Sequence, residues 1–393
     1  MTTVVAGVGL VPFRTPRLSE TYDKLGEQAI RAALGDAGLD VTDLDQAYAG
    51  YVYADSAAGQ TALYGVAPTG IPVINTNNYC ASGSTALWLG RQAIESGSAQ
   101  CVLVVGFEQM VPGAIGSVYA DRPESLWRFA ASRDAHRPLS DAPPAARYFG
   151  DAGQAYLDRY DVDVRLFAEV AVKARRHAGA NPFAVFRDPL TVEEVLASPH
   201  VYGPLTRLQC CPPTCGAAAA ILCTPEFARS RGLDDSIVIR AQAMTSDTAA
   251  TFSGDAIELV GGGIARRAAD AVYDAAGIDP LDIPVVELHD CFTANEVISY
   301  EALRLTAEGT SDRFVSDGQN TYGGRVVTNP SGGLLSKGHP LGATGLAQCA
   351  ELVWQLRGTA GARQVDGAKL ALQHNLGLGS ACVVTLYERL TRS

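Results

Sequence analysis

The chain has 393 residues, 47% hydrophobic and 19% charged, with a formal net charge of −11 and a pI near 5.0. That length exceeds what one hydrophobic core normally serves, so two or more domains are expected. The acidic balance argues against nucleic acid or an anionic membrane surface as the main partner, and no run of about 18 apolar residues suggests a membrane span.

The N-terminus has no basic n-region, and the C-terminal Thr391-Arg392-Ser393 is not a peroxisomal tripeptide. Nine cysteines, an odd number in no regular framework, read as reduced thiols of a cytoplasmic protein.

In chain order, Val4–Leu10 reads as a strand. Tyr22–Ala37 reads as an amphipathic helix with Leu25, Ala29, Ala32 and Ala33 on one face and Gly38 at its end. Gln46–Val52 is a second strand. A short apolar run from Ile71 to Ile74 then ends in asparagines, and Cys80 opens an Ala/Ser/Gly segment with a helix from Ser84 to Ser96. Cys80 thus sits where a strand hands over to a helix N-terminus, whose free N–H groups and dipole are expected to hold a thiolate at rest. By residue type alone, a buried structural cysteine is the blander reading. Cys101–Gly106 is continuously apolar, as in a strand covered on both faces. The alternation points to an α/β layered fold.

Between 109 and 205 apolar strand runs vanish and Arg, Asp and Pro become dense. Helical patterns near 145–160 and 163–177 make this a mostly helical inserted domain, of the kind that shapes a substrate site. His136, His177 and His200 lie in or beside it and read as surface. Cys210, Cys211 and Cys215 raise zinc, but they form no C-x-x-C pair and no histidine is near in sequence, so no metal is expected. Gly216–Leu222 returns to a buried strand.

The second half, from about 235, echoes the first. Residues 29–40 match 268–279, each a helix ending in Gly before an acidic loop and a strand; Ala81-Ser82-Gly83 is echoed by Ala343-Thr344-Gly345. The expected organisation is an N-terminal half over 1–108 completed by 206–234, an insertion over 109–205, and a C-terminal half over 235–393. Corresponding loops of two such copies would face one shared site.

Three constellations lie in the second copy. The first is His289-Asp290-Cys291-Phe292 at a strand end. The second is Ser331 to Gly345, with His339 among glycines that let a ligand approach the backbone. The third is His374-Asn375-Leu376-Gly377-Leu378-Gly379-Ser380, whose N–H groups could line an oxyanion hole. His289, His339 and His374 are three of only six histidines, and all would face Cys80. Cys101, Cys223, Cys349 and Cys382 fall in apolar runs and read as core.

With these motifs the sequence resembles the thiolase superfamily, and within it the sterol-carrier-protein-x type of 3-ketoacyl-CoA thiolase. The resemblance rests on the Cys80 segment, the His289-Asp290-Cys291-Phe292 motif and Gly338-His339-Pro340, and covers essentially the whole chain, weakest in the insertion. It implies a thiolase fold with two pseudo-repeated α/β halves in an αβαβα arrangement, working as a homodimer or tetramer. It implies CoA-dependent Claisen cleavage of 3-ketoacyl-CoA, with coenzyme A as co-substrate and an acyl-Cys80 intermediate. Cys80 would be the nucleophile and His339 its activator; His289 would hold the enolate oxygen and Cys291 would move protons. Leu376, Gly377 and His374 would form the oxyanion and supporting shell, and Ser331, Gly332 and Gly333 would contact the cofactor. His374 stands where many thiolases carry an acid/base cysteine, which fits a branch in which Cys291 takes that task. The alternatives are a thiolase-like acyltransferase or aldolase, or a non-catalytic lipid- or CoA-binding protein.

Overall fold

The computed structural model describes residues 2–111, 121–379 and 381–390. Part of the expected insertion (112–120), Ser380 of the third constellation and the C-terminal tripeptide lie outside them.

Ten strands form one mixed sheet. They are β1 (Thr3–Leu10), β2 (Gln46–Gly50), β3 (Val73–Thr76), β4 (Cys101–Glu108), β5 (Gly216–Cys223), β6 (Ile237–Thr245), β7 (Val285–Glu287), β8 (Val327–Thr328), β9 (Leu370–Gly377) and β10 (Ala381–Arg389). The order is β8-β7-β9-β10-β6-β1-β5-β4-β2-β3. Each set of five has the same pattern. In the first, β3, β2 and β4 run parallel, and β5 and β1 follow antiparallel. In the second, β8, β7 and β9 run parallel, and β10 and β6 follow antiparallel. Within the sheet the two sets of five pair through β1 and β6, where Thr3 pairs with Ile239 and Val4 with Val238.

The principal helices are α1 (Tyr22–Ala37), α2 (Ser82–Glu95), α3 (Pro144–Tyr160), α4 (Arg165–Ala178), α5 (Gly262–Ala276), α6 (Thr293–Ala302) and α7 (Thr344–Arg357). Every residue of β4 and β5 is buried, which explains why both read as unbroken apolar runs. α1 covers one half of the sheet and α5 the other, while α2 and α7 pack against each other between the halves. The result is the layered αβαβα arrangement of the thiolase fold. Close approach of the central elements depends on missing side chains: a Cβ on Gly83 would come within 2.5 Å of the Gly342 carbonyl oxygen.

In the insertion, α3 and α4 both pack on α6, and α4 also packs on the short turn Gly333–Ser336. A buried cluster fastens α4 there. Lys173 bonds the Glu296 carboxylate and, at 2.7 Å, Thr328 Oγ1; Tyr300 OH also donates to Glu296 at 2.6 Å. His177, one turn on, is buried as well, against the surface position expected from its polar neighbours. Its Nδ1 bonds the Asn329 carbonyl at 3.0 Å and its Nε2 lies 2.7 Å from Thr321 Oγ1. It faces inward with Val170, Lys173 and Ala174. His136 and His200 are exposed, and Cys101, Cys223, Cys349 and Cys382 are fully buried. No helix among the described residues is long and apolar enough to cross a membrane.

Candidate active site

β3 leads through Asn77 and Asn78 to Tyr79, whose φ of 47° is left-handed backbone that a bulky side chain rarely adopts. Ser82, the first residue of α2, holds this turn: its hydroxyl donates to Tyr79 O at 2.6 Å and accepts the Asn78 N–H at 2.9 Å. Cys80 follows Tyr79, two residues before the helix. From the other half, the end of β9 presses on the same turn, since a Cβ on Gly377 would lie 2.2 Å from Asn78 O. Leu376 and Gly377 are therefore seated beside Cys80, and only glycine permits that approach.

His339 is fixed at two points. Its N–H donates to Thr214 Oγ1 at 2.6 Å, and its Nδ1 lies 2.7 Å from Thr344 Oγ1. The single hydroxyl hydrogen of Thr344 goes to Pro340 O at 2.8 Å. Thr344 must then accept from Nδ1–H, which leaves the lone pair on Nε2. That Nε2 is buried and has no protein partner. Burial lowers the imidazole to about 3, so His339 is a neutral base.

His289 follows β7. Asn375 Nδ2 lies 3.1 Å from its Nδ1, an arrangement that puts the imidazole hydrogen on Nε2. The His289 N–H donates to Nδ1 of His374 at 3.4 Å. His374 therefore braces the loop that carries His289. The rings of His289 and His339 meet edge to face with centroids 5.0 Å apart. The Cys80 sulfur and one nitrogen of each of these histidines lie within 4.8 Å of one another.

Cys291 is buried, just before α6, and its carbonyl accepts the Cys211 N–H at 2.9 Å. Burial pushes its thiol well above the ordinary value, and the Cys211 and Cys80 thiols push it further. Next to it, the Asp290 carboxylate accepts the N–H of Leu334 at 2.7 Å. Burial raises Asp290 to about 8. This bond ties the His289–Phe292 loop to the turn beyond Ser331.

One expectation needs correcting. Cys80 keeps some exposed surface, yet the protein around its sulfur pushes the thiol up to about 12, with Glu108 adding to the rise and the residue's own N–H opposing it. Desolvation outweighs the helix terminus, so the resting state is a thiol beside a neutral imidazole and not a preformed thiolate. Ser331, Gly332 and Gly333 are all buried. The Ser331 hydroxyl donates to Glu287 at 2.8 Å. A Cβ on Gly332 would meet Ala178, and one on Gly333 would meet the Asp290 carboxylate. These contacts hold the turn in place.

Four residues near the site carry tasks that their local sequence does not announce: Glu108, Cys211, Thr344 and Asn375. In the sequence Cys211 is legible only as one of three clustered thiols, and Thr344 only as a hydroxyl residue five positions beyond His339 at a helix start.

A family profile described as "Thiolase, N-terminal domain" matches residues 8–226, and one described as "Thiolase C-terminal domain-like" matches 253–389. The chain belongs to the thiolase family. It is 48% identical over 389 residues to "Sterol carrier protein 2" of Oryctolagus cuniculus, covering 98% of this chain and 71% of that protein. That match places it in the sterol-carrier-protein-x branch. "Acetyl-CoA acetyltransferase" of Methanothermobacter thermautotrophicus is 34% identical, covering 91% of this chain and 92% of the relative. Among solved structures, "Ltp2-ChsH2(DUF35) aldolase" superposes with a TM-score of 0.81 at 23% identity, covering 99% of this chain and 98% of that one. At that identity the likeness concerns the fold of this thiolase-family chain and not its reaction.

Proposed function

We propose that this thiolase-family chain is an acyltransferase that cleaves 3-ketoacyl-CoA with CoA, releasing acyl-CoA and acetyl-CoA or propionyl-CoA through an acyl-Cys80 intermediate. The observation that carries this reading is the clustering of His339, whose Nε2 has no partner, with the Cys80 thiol and His289. The name of the 34%-identical acetyltransferase relative supports the choice of CoA thioesters.

In the first step Cys80 gives its proton to His339 Nε2 as its sulfur bonds to the 3-keto carbon. The carbon–carbon bond then breaks, and the electron pair passes to the departing thioester enolate. His289, with the hydrogen on Nε2, stabilises the enolate oxygen where negative charge develops. Cys291 donates its proton to the enolate carbon. Incoming CoA then gives its thiol proton to the Cys291 thiolate, its sulfur takes the acyl group, and the departing Cys80 sulfur recovers its proton from His339. The backbone at Leu376–Gly377 lies beside Cys80 and supplies the surroundings of the acyl carbonyl, with His374 bracing His289. The halves 1–108 with 206–234 and 235–393 each bring one side of the site, and the 109–205 insertion borders the acyl pocket. A homodimer or tetramer is the expected assembly.

The test is a panel of 3-ketoacyl-CoA thioesters followed by loss of enolate absorbance with and without CoA. Loss that needs CoA supports the reading. Turnover of no member, or turnover that does not need CoA, overturns it.

A further inference from the structure

We infer that Cys80, His289 and His339 form a site for one thiophilic divalent cation of the Zn2+ class, which would reversibly block the nucleophile. One sulfur and two imidazole nitrogens within 4.8 Å of one another are the donor set such ions prefer. A bound ion needs about 2.3 Å to sulfur and about 2.0 Å to nitrogen, which in tetrahedral geometry sets the donors roughly 3.3–3.5 Å apart, so the three donors would draw together around it. The fourth position stays open for water.

A second observation points to a ligand. His339 is 4% exposed, and its Nε2 has no partner, while its Nδ1–H is already given to Thr344. That is the outer-shell arrangement of a metal-binding histidine, with one nitrogen oriented and the other free. His289 can meet the same requirement through Asn375. The Oδ1 of that amide also lacks a partner. Turning the amide over would let Oδ1 accept from His289 Nδ1–H and move the lone pair to Nε2. One amide would thus serve two states, a hydrogen-bearing His289 for catalysis and a ligating His289 for the metal. The partly exposed Cys80 gives the ion a route in.

Binding is not a redox event. The Cys80 S–H bond breaks, the sulfur–metal bond forms and one proton leaves to solvent, while both imidazoles contribute lone pairs.

The test is titration of the full-length protein with Co2+ as the spectroscopic probe, under reducing, oxygen-free conditions and without substrate, so that it stands apart from the acyl-transfer reading. The expected result is one equivalent bound, a sulfur-to-cobalt charge-transfer band, tetrahedral visible absorption, release of one proton and displacement by Zn2+. The charge-transfer band should vanish in Cys80→Ala, and equally in wild-type protein whose Cys80 is blocked by iodoacetamide, which guards against a misfolded variant. His339→Ala should weaken binding at least tenfold, and Cys291→Ser should leave the band in place. Absence of the band, its survival after Cys80 is blocked, or its loss in Cys291→Ser would overturn the assignment.

Discussion

The Glu108 carboxylate at the end of β4 accepts the N–H of Gly342 at 3.0 Å, joining the N-terminal half to the loop that carries His339. It also accepts the N–H groups of Val52 at 3.1 Å and Tyr53 at 2.9 Å. A carboxylate can accept all three, whereas an amide must turn its NH2 toward one of them. Glu108→Gln should therefore lower kcat/KM by roughly tenfold, the loss of about one buried hydrogen bond. It also carries a pH signature. Burial raises Glu108 to about 7 from an ordinary value of 4.5. In that window the folded state holds a proton that the unfolded state has lost, so the residue's contribution to stability is full below pH 4.5 and lost as pH rises to 7. Thermal midpoints of wild type and Glu108→Gln, compared across pH 4.5 to 8, should show the wild-type advantage shrinking as pH rises.

Reactivity of Cys80 tests the neutral resting pair. With its thiol pushed up to about 12, the thiolate fraction is small throughout the neutral range. Alkylation of Cys80 by iodoacetamide should rise roughly tenfold per pH unit between pH 7 and 9. A rate already level at pH 7 would restore the preformed thiolate.

Thr344 sets the proton of His339. Thr344→Val keeps the shape but removes the acceptor for Nδ1–H, so the lone pair is no longer confined to Nε2. We expect kcat to fall on the order of tenfold or more with KM little changed, while Thr344→Ser retains most activity. Steady-state kinetics on the three proteins checks this.

The Lys173–Glu296 pair is a stability device. Both side chains are buried, at 4% and 0% exposure, so Lys173→Met leaves a buried carboxylate without its cation. The cost should be about 3–5 kcal/mol, visible as a lower thermal midpoint. The double variant Lys173→Met/Glu296→Gln should recover much of it. A double variant as unstable as the sum of the singles would show that the pair is not coupled.

Much of this was legible in the chain. β4 and β5 announce themselves because both faces of each are covered, and the match of 29–40 with 268–279 corresponds to the ends of α1 and α5 leading to their next strands. His289 and Cys291 stand out as reactive side chains just past a strand, and His339 as one set among glycines. The rest depends on contacts that sequence periodicity does not encode. β3 is displaced two residues toward the asparagines from the apolar run 71–74, because pairing with β2 and not hydrophobicity defines this edge strand. His177 looked like surface because its neighbours are charged, and its burial comes from Asn329 in the other half. Glu108 finds Gly342 across 234 residues. The fate of the Cys80 proton also escaped, because a helix N-terminus can be seen in sequence and desolvation by the opposite half cannot.

The proposed reaction requires that the acyl group be carried on Cys80. Brief incubation with a 3-ketoacyl-CoA in the absence of free CoA, followed by rapid quench and peptide mass spectrometry, tests it most directly. An acyl adduct is expected on the Cys80 peptide, discharged by added CoA and absent in Cys80→Ala, while Cys291→Ser accumulates little because its enolate is not protonated. An adduct on Cys291 or Cys211, or CoA-dependent cleavage that persists in Cys80→Ala, would contradict it.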